Sequence, residues 1–295
     1  MRKWSQKINP LGCHGLVWTS DFRPDRFDDV AQRIARAGFD LFEVPLMDPW
    51  GFDAERAAAA LRANNLQVTL SVGHRADTDV SSEDAATAAA GEKLLIQAID
   101  QASRLGASQV VGVLYSQLKR YSAPVTPAGR RQAQRVLARV ADHAESLGLG
   151  LSLEVVNRYE TNVFNTVADA ADFVAGIGKP NVKLHVDSFH MNIEETNLYT
   201  PLIAVAELIG YAHVSESTRG YLGSGGVRFG DFFRGLADAG YTGPITFETF
   251  SSRQLEPDLA GLLAVWRPFY DDTDALAAHA ARFLRGQVEA AHSAA

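Results

Sequence analysis

The feature that most constrains this chain is a regular alternation of strand-like and helix-like segments from one end to the other. Residues 26–38 illustrate the helical segments: Phe27, Val30 and Ile34 recur at spacings of three and four, and Gly38 follows where a helix would end. Short apolar runs rich in β-branched residues separate these helices. The predicted strands cover residues 11–18, 40–46, 66–73, 109–115, 151–156, 181–187, 211–216 and 244–250. The predicted helices cover residues 26–38, 54–65, 83–105, 130–148, 167–178, 201–210, 231–240 and 274–291.

This alternation predicts an α/β fold of the (β/α)8 TIM-barrel type, since eight such units in ~250–300 residues match that barrel in count and length. We expect residues 1–295 to form a single TIM-barrel domain, with residues 1–10 as an N-terminal extension and residues 274–295 as a C-terminal helix and frayed tail. A doubly wound open sheet is the alternative. It would need a glycine-rich phosphate loop after the first strand, and residues 13–22 do not form one.

The composition excludes several classes of protein. Hydrophobic residues make up 46% of the chain, enough for a packed core. A net charge of −7 argues against nucleic acid or an anionic membrane as a partner, because these usually bind basic surfaces. No run approaches the ~20 apolar residues of a membrane span. Cys13 is the single cysteine, so there is no disulfide framework, and we expect a cytoplasmic protein.

Polar residues recur at the predicted carboxyl ends of four successive strands, where TIM barrels carry their active sites. They are Glu154, Asp187, His213 and Glu248, separated by 33, 26 and 35 residues, or about one βα unit each. A carboxylate such as Glu154 in an apolar strand is costly to bury unpaired, so it needs a positive partner. Three carboxylates and one imidazole suit Mn²⁺, Mg²⁺ or Co²⁺, with Zn²⁺ still open.

Each of these residues also has an ordinary structural interpretation. A single histidine in a strand, such as His213, is more often a hydrogen-bonded core residue than a ligand. Asp187 alone could cap a helix or a turn, and Glu248 could pair with a lysine or an arginine. Their recurrence at equivalent strand ends favours a metal site over coincidence.

Longer motifs surround these positions. They are EVVNRYE (154–160), DSFHMNIEE (187–195), HVSESTR (213–219) and ITFETF (245–250), with CHGLVW (13–18) near the start. These motifs resemble the D-tagatose 3-epimerase family of metal-dependent ketose 3-epimerases, which have a xylose-isomerase-like TIM barrel. They are most similar to the bacterial D-allulose (D-psicose) and L-ribulose 3-epimerases. The resemblance runs from about Gly12 to the last helix.

The resemblance implies one Mn²⁺ per subunit, or Co²⁺ or Mg²⁺ in its place, bound by Glu154, Asp187, His213 and Glu248. It also implies that Glu154 and Glu248 are the catalytic acid and base. They would invert C3 of a free ketose (L-ribulose, D-allulose or D-fructose, D-tagatose) by two-base proton transfer through a metal-stabilised cis-enediolate.

Other residues match sugar-binding positions of that family. The resemblance implies that Glu160, His190 and Arg219 contact the sugar around C1 to C3, that Trp18 lines its pocket, and that the protein is a homotetramer or homodimer. The chain departs from D-tagatose 3-epimerase itself at Val17-Trp18 and at residues 116–121, which face C4 to C6. The preferred ketose therefore stays open.

Four alternatives to a ketose 3-epimerase remain at this point. A hydroxypyruvate isomerase or an inosose dehydratase could use the same barrel and metal site. A DNA-repair endonuclease of this barrel type would need more histidine ligands and a basic face, and the charge of −7 disfavours it. A non-catalytic sugar-binding barrel would not need Glu154 and Glu248.

Overall fold

The structure is a computed structural model that describes residues 9–293. Eight parallel strands form a closed barrel in chain order, which confirms the predicted TIM barrel. The strands are β1 (Leu11–His14), β2 (Leu41–Pro45), β3 (Gln67–Ser71), β4 (Gln109–Gly112), β5 (Gly150–Glu154), β6 (Val182–Asp187), β7 (Ile209–Val214) and β8 (Ile245–Phe247). The helices are α1 (Pro24–Ala37), α2 (Ala54–Ala63), α3 (Ala85–Leu105), α4 (Pro127–Ser146), α5 (Val167–Ile177), α6 (Ser188–Glu194), α7 (Thr200–Ala204), α8 (Phe229–Asp238), α9 (Pro257–Leu262) and α10 (Thr273–Ser293).

Several strands end earlier than the sequence predicts. β1 stops at His14, and Gly15–Val17 form a short 3-10 helix, with the His14 side chain accepting from the amide of Leu16. β8 stops at Phe247, so Glu248 lies just beyond its strand. Strand ends are weakly marked in an apolar sequence, because an apolar loop residue that folds back over the barrel looks like strand.

The short helix α6 (Ser188–Glu194), which follows β6 directly, is absent from the helices that the sequence predicts. Asp187 ends β6 and caps α6 directly, its Oδ1 accepting from the amide of Phe189 at 2.6 Å. The helix predicted for residues 201–210 is shorter: it consists of α7 and a 3-10 turn at Ala206–Leu208, before β7 starts at Ile209.

The sequence predicts an N-terminal extension at residues 1–10 and a C-terminal helix with a frayed tail at residues 274–295. Residues 1–8 of the predicted extension lie outside the described residues, and so do residues 294–295 of the predicted tail. Asn9 already belongs to the barrel, because its buried amide donates to the carbonyls of Tyr241 and Gly243 at 3.0 and 2.9 Å. Among residues 9–293, no helix is long and apolar enough to cross a membrane.

The outer face of the sheet is apolar and the inside of the barrel is polar. Alternate strand residues point outward, so Phe42 of β2 packs on Phe27 of α1, with ring centroids 5.0 Å apart. Barrels of this type usually fill their interior with valine, isoleucine and leucine. Here the strands bury polar residues among alternate positions: His14, Glu43, Thr69, Glu154, His185, Asp187, Tyr211, His213 and Thr246, with Glu248 just after β8.

The helix-ending glycines at 38, 106, 148 and 240 all adopt positive φ, the conformation that is common where a helix ends. Gly106 ends α3 with φ 78°, and its amide bonds back to Ala102 and Ser103. Gly286, by contrast, lies inside α10 on an exposed turn. A Cβ at either glycine would meet no atom within 4 Å, so the two positions differ in backbone conformation rather than in space.

We predict opposite effects of the same substitution at these two glycines. Gly106→Ala should lower the free energy of unfolding by about 1 kcal/mol, because alanine disfavours the left-handed conformation. Gly286→Ala should raise it by about 0.5–1 kcal/mol, because alanine favours the helix. Urea denaturation of both variants checks this, and effects of the same sign would contradict the assigned conformations.

Candidate active site and metal centre

The four predicted ligands converge at one end of the barrel. Glu154 ends β5, Asp187 ends β6, His213 lies near the end of β7, and Glu248 follows β8. Nδ1 of His213 lies 3.9 Å from Glu154 Oε1, 3.8 Å from Asp187 Oδ2 and 3.6 Å from Glu248 Oε1. One ligand atom from each of the four residues lies within 4.8 Å of all the others.

The unsatisfied polar atoms of this cluster fit a divalent cation. Nδ1 of His213 and Oδ2 of Asp187 are buried and have no hydrogen-bond partner. A buried polar atom is costly when it is left unpaired, so two such atoms facing the same point indicate a missing partner. The cluster of buried carboxylates around one imidazole is therefore a candidate divalent-metal site.

The surroundings of the two predicted acid/base residues shift their pKa values in opposite directions. Burial raises the pKa of Glu154 above its ordinary value. Burial also acts on Glu248, but the positive charges of His213 and Arg219 outweigh it and lower the pKa of Glu248 to about 2. His213 is buried too, yet Glu43 and Glu248 outweigh that effect and raise its pKa to about 10. A metal bound at Nδ1 would replace the Nδ1 proton of His213, because a ligating imidazole is neutral.

Arg219 lies beside Glu248 and is buried. Its Nη1 donates to Glu248 Oε2 at 2.8 Å and to Ser215 Oγ at 2.9 Å. The guanidinium lies 3.8 Å from the ring centroid of Phe189 and 4.4 Å from that of Phe250. This stacking between two rings fixes the plane of the guanidinium beside the carboxylate.

The loop after β7 holds Arg219 in an unusual backbone conformation. Arg219 has φ 54°, which is uncommon for a residue other than glycine. Its amide donates to the carbonyl of Glu216, and its carbonyl accepts from Thr249 Oγ1 at 2.6 Å. The buried Glu216 carboxylate in turn accepts from the amides of Ser217 and Gly223. These hydrogen bonds hold Arg219 in its unusual conformation. Strained backbone conformations of this kind are often found at functional sites.

His190 and Glu160 lie together beside Glu154. His190 Nε2 is 3.5 Å from Glu154 Oε1, and its Nδ1 accepts from the backbone amide of Asn157 at 3.2 Å. Asn157 also donates from Nδ2 to Glu160 Oε1 at 2.9 Å. Sequence reasoning missed Asn157, which joins these two predicted sugar contacts.

A cavity of about 620 Å³ opens above the cluster. Glu154, Glu248 and His14 line its polar end, and this volume is typical of a small-molecule site. The remaining wall has apolar residues (Leu16, Leu46, Met47, Val72, Val113, Leu118, Phe250, Leu259, Leu262 and Leu263) and polar ones (Ser20, Ser71, His74, Arg75, Glu256 and Asp258).

Trp18 is not brought together with the other predicted residues. It follows the 3-10 helix, and its indole N–H donates to Asp274 Oδ1 at the start of α10, at 2.8 Å. The residue of this segment that lines the cavity is Leu16. The early end of β1 accounts for this position, because a helical turn replaces the strand at whose end Trp18 is predicted to lie.

Comparison with known proteins identifies the family. A sequence model described as the xylose isomerase-like TIM barrel matches residues 31–287. The ketose 3-epimerase of Arthrobacter globiformis is 46% identical over 280 residues, which cover 95% of this chain and 97% of that protein. The chain belongs to the xylose isomerase-like TIM barrel family.

Within this family the similarity is to ketose 3-epimerases, which confirms the resemblance of the motifs. The L-ribulose 3-epimerase of Methylomonas sp. (strain DH-1) is 41% identical, covering 93% of this chain and 96% of that protein. A crystal structure of D-allulose 3-epimerase from Methylomonas sp. in complex with D-allulose has a TM-score of 0.92 and 41% identity. The matched region covers 94% of this chain and 96% of the chain in that crystal structure.

Two further members of the site were missed in the sequence. Glu43 lies in the apolar strand β2, and its Oε2 accepts from His213 Nε2 at 2.6 Å. His185 precedes Asp187 by two residues, so it lies on the same face of β6, with its Nδ1 4.0 Å from Glu154 Oε2. The signal for Glu43 was present, because a carboxylate inside an apolar strand is the feature that identifies Glu154.

We predict that Asp187→Asn abolishes metal-induced stabilisation without destabilising the metal-free protein. Asparagine keeps an oxygen to cap α6 but removes a charge from a cluster of like charges. Melting temperatures with and without Mn²⁺ check this, since a ligand that binds only the native state raises the midpoint. Asp84→Asn, at the exposed cap of α3, is the matched control and should keep the full response. A variant at 187 that keeps the Mn²⁺ response would show Asp187 to be only a cap.

Proposed function

We propose that this chain is a metal-dependent ketose 3-epimerase that inverts C3 of a free ketose such as L-ribulose, D-allulose, D-fructose or D-tagatose. The observation that carries the proposal is the convergence of Glu154 and Glu248 on one cavity wall, beside Asp187 and His213. The ketose 3-epimerase relatives, similar over nearly the whole chain, support it.

The reaction needs a base and a means of stabilising negative charge. The C3 hydrogen of a ketose is weakly acidic, so the barrier falls only if the charge that forms on the neighbouring oxygens is stabilised. A divalent ion held by Glu154, Asp187, His213 and Glu248 supplies Lewis-acid stabilisation when bound, and we favour Mn²⁺ over Co²⁺ and Mg²⁺. Arg219 adds a permanent positive charge that its stacking keeps in place.

Inversion at C3 requires proton transfer on both faces of the sugar. Glu154 and Glu248 come from strands three apart in the barrel, and both line the cavity. Each carboxylate has its own neighbour, His190 at 3.5 Å for Glu154 and Arg219 at 2.8 Å for Glu248. We propose that one removes the C3 proton and the other returns a proton to the opposite face, with roles that exchange in the reverse direction.

The remaining predicted residues suit recognition of the sugar's reacting end. His190 and Glu160 form one connected group through Asn157, and imidazole and carboxylate are good partners for sugar hydroxyl groups. The rest of the cavity wall combines apolar residues with polar ones such as Ser71, His74 and Arg75. We propose that five-carbon and six-carbon ketoses are both accepted.

Deuterium oxide tests the assignment of the reaction to C3. With Mn²⁺ and a panel of L-ribulose, D-fructose and D-tagatose, we expect deuterium to appear at C3 of at least one ketose, as measured by NMR. Glu154→Gln and Glu248→Gln should each slow this exchange by about 10²–10⁴-fold, the usual contribution of a positioned acid or base. Label only at C1 would indicate aldose–ketose isomerisation, and a new enone absorbance from a cyclitol would indicate a dehydratase.

We also propose that the protein is a homodimer or homotetramer that uses the segment after β8. Trp266 is 76% exposed there and Leu262 is 43% exposed, so the segment presents apolar surface. Sedimentation should show an assembly that Trp266→Ser weakens. Trp50→Ser, at a tryptophan that is 53% exposed in the β2–α2 connection, should leave the assembly unchanged. A wild-type monomer at micromolar concentration would refute the proposal.

A further inference from the structure

Glu43 is a fully buried carboxylate in the middle of the barrel, beneath the candidate metal ligands. It lies on β2 beside His14 of β1 and Thr69 of β3, and it is 0% exposed. Its ion-pair partners within residues 9–293 are two histidines, His213 at 2.6 Å and His14 at 3.5 Å. A carboxylate is expensive to bury, so its presence calls for a specific partner.

The hydrogen bonds around Glu43 fix its orientation. Oε2 accepts from His213 Nε2 and also from the hydroxyl of Tyr211 at 2.9 Å. The Tyr211 hydroxyl is in turn 2.6 Å from Thr246 Oγ1, which can donate to it. Glu43 therefore presents one oxygen, Oε2, as the acceptor to both His213 and Tyr211.

This contact determines which ring nitrogen of His213 is available to bind a metal. A carboxylate oxygen only accepts, so Nε2 must carry the proton of the 2.6 Å hydrogen bond. Nδ1 is then the nitrogen that faces Glu154, Asp187 and Glu248 and lacks a hydrogen-bond partner. Metal-binding histidines commonly donate their other ring N–H to a carboxylate, which sets the tautomer and raises the basicity of the ligating nitrogen.

We propose that Glu43 is a positioning residue that holds the His213 ring with Nδ1 toward the metal and thereby sets the affinity of the site. The proposal rests on the metal site of the proposed function. It assigns to Glu43 a role in metal binding without contact with the metal or the sugar.

A purely structural role for Glu43 would leave metal binding unaffected. Packing and the bond to Tyr211 could be served by the neutral, isosteric amide of glutamine. Glutamine removes the charge, and it can turn its NH₂ group toward His213 and so favour the wrong tautomer. The expected consequence is a loss of metal affinity rather than a loss of fold.

Calorimetric titration of the metal-stripped protein with Mn²⁺ tests this. We expect Glu43→Gln to weaken Mn²⁺ binding about 10–100-fold, the usual effect of losing such a partner, with the metal-free melting temperature recorded beside it. Thr69→Val is the matched control, because Thr69 is equally buried beside Glu43 but is not hydrogen-bonded to Glu43 or His213. It should bind Mn²⁺ as the wild type does. A folded Glu43→Gln protein with unchanged affinity would overturn the proposal.

A second measurement needs no variant. NMR of the wild-type protein with isotope-labelled histidine and NMR-active cadmium should show metal coupling to Nδ1 of His213 and a proton on Nε2. Coupling to Nε2 would overturn the proposal even if Glu43→Gln does not fold. If no metal binds to the wild type, the proposed metal site itself fails. If metal binds and ketose exchange occurs but Glu43→Gln binds equally well, only the role of Glu43 fails.

Discussion

The burial of negative charge inside a closed barrel is the constraint on which this structure depends. Glu43, Glu154, Asp187 and Glu248 are each at most 9% exposed, and within residues 9–293 Arg219 is the arginine that pairs with any of them. One guanidinium cannot neutralise four carboxylates, and uncompensated charge in a barrel interior would destabilise the fold. The N–H group of His213 offers Glu43 a hydrogen bond, and a bound divalent ion would compensate much of the remaining negative charge.

The barrel tolerates this interior because its stability comes from the other face of the sheet. Outward-facing strand residues and the inner faces of the helices form one apolar cluster, which includes Ile34, Leu95, Val136 and Phe173. Burial of that surface is the main favourable term in folding. The inside of the barrel is therefore free to be polar, provided that each polar group finds a partner. Beneath the candidate metal ligands, Glu43 Oε2, Tyr211 and Thr246 meet that condition through hydrogen bonds to one another.

The same layered arrangement links the candidate metal site to the cavity that we propose binds the sugar. His14 lines the cavity, lies 3.5 Å from Glu43 and is 3.1 Å from Ser71 Oγ, another cavity residue. Arg219 connects Glu248 to the aromatic rings of Phe189 and Phe250. Residues that would bind metal, move protons and contact substrate are thus parts of one hydrogen-bonded and stacked assembly. A substitution at one of these residues would alter the interactions of the others, since the effects of substitutions within one network are not additive.

The sequence by itself determined the eight βα units and the four converging residues Glu154, Asp187, His213 and Glu248. Helical and strand periodicity are local properties, and a parallel barrel brings the carboxyl ends of all its strands to one side. Only the tertiary structure decided which further residues meet them. Glu43 lies 170 residues before His213, and β2 and β7 come close only because β1 pairs with β8 to close the barrel. The sequence of β2 alone does not indicate that His213 is the partner of Glu43. The direction of the Trp18 side chain likewise depends on a 3-10 turn, in which His14 accepts a hydrogen bond. The position of the Arg219 guanidinium depends on the two aromatic rings that stack on it. These are contacts between distant side chains, and such contacts exist only once the barrel is closed.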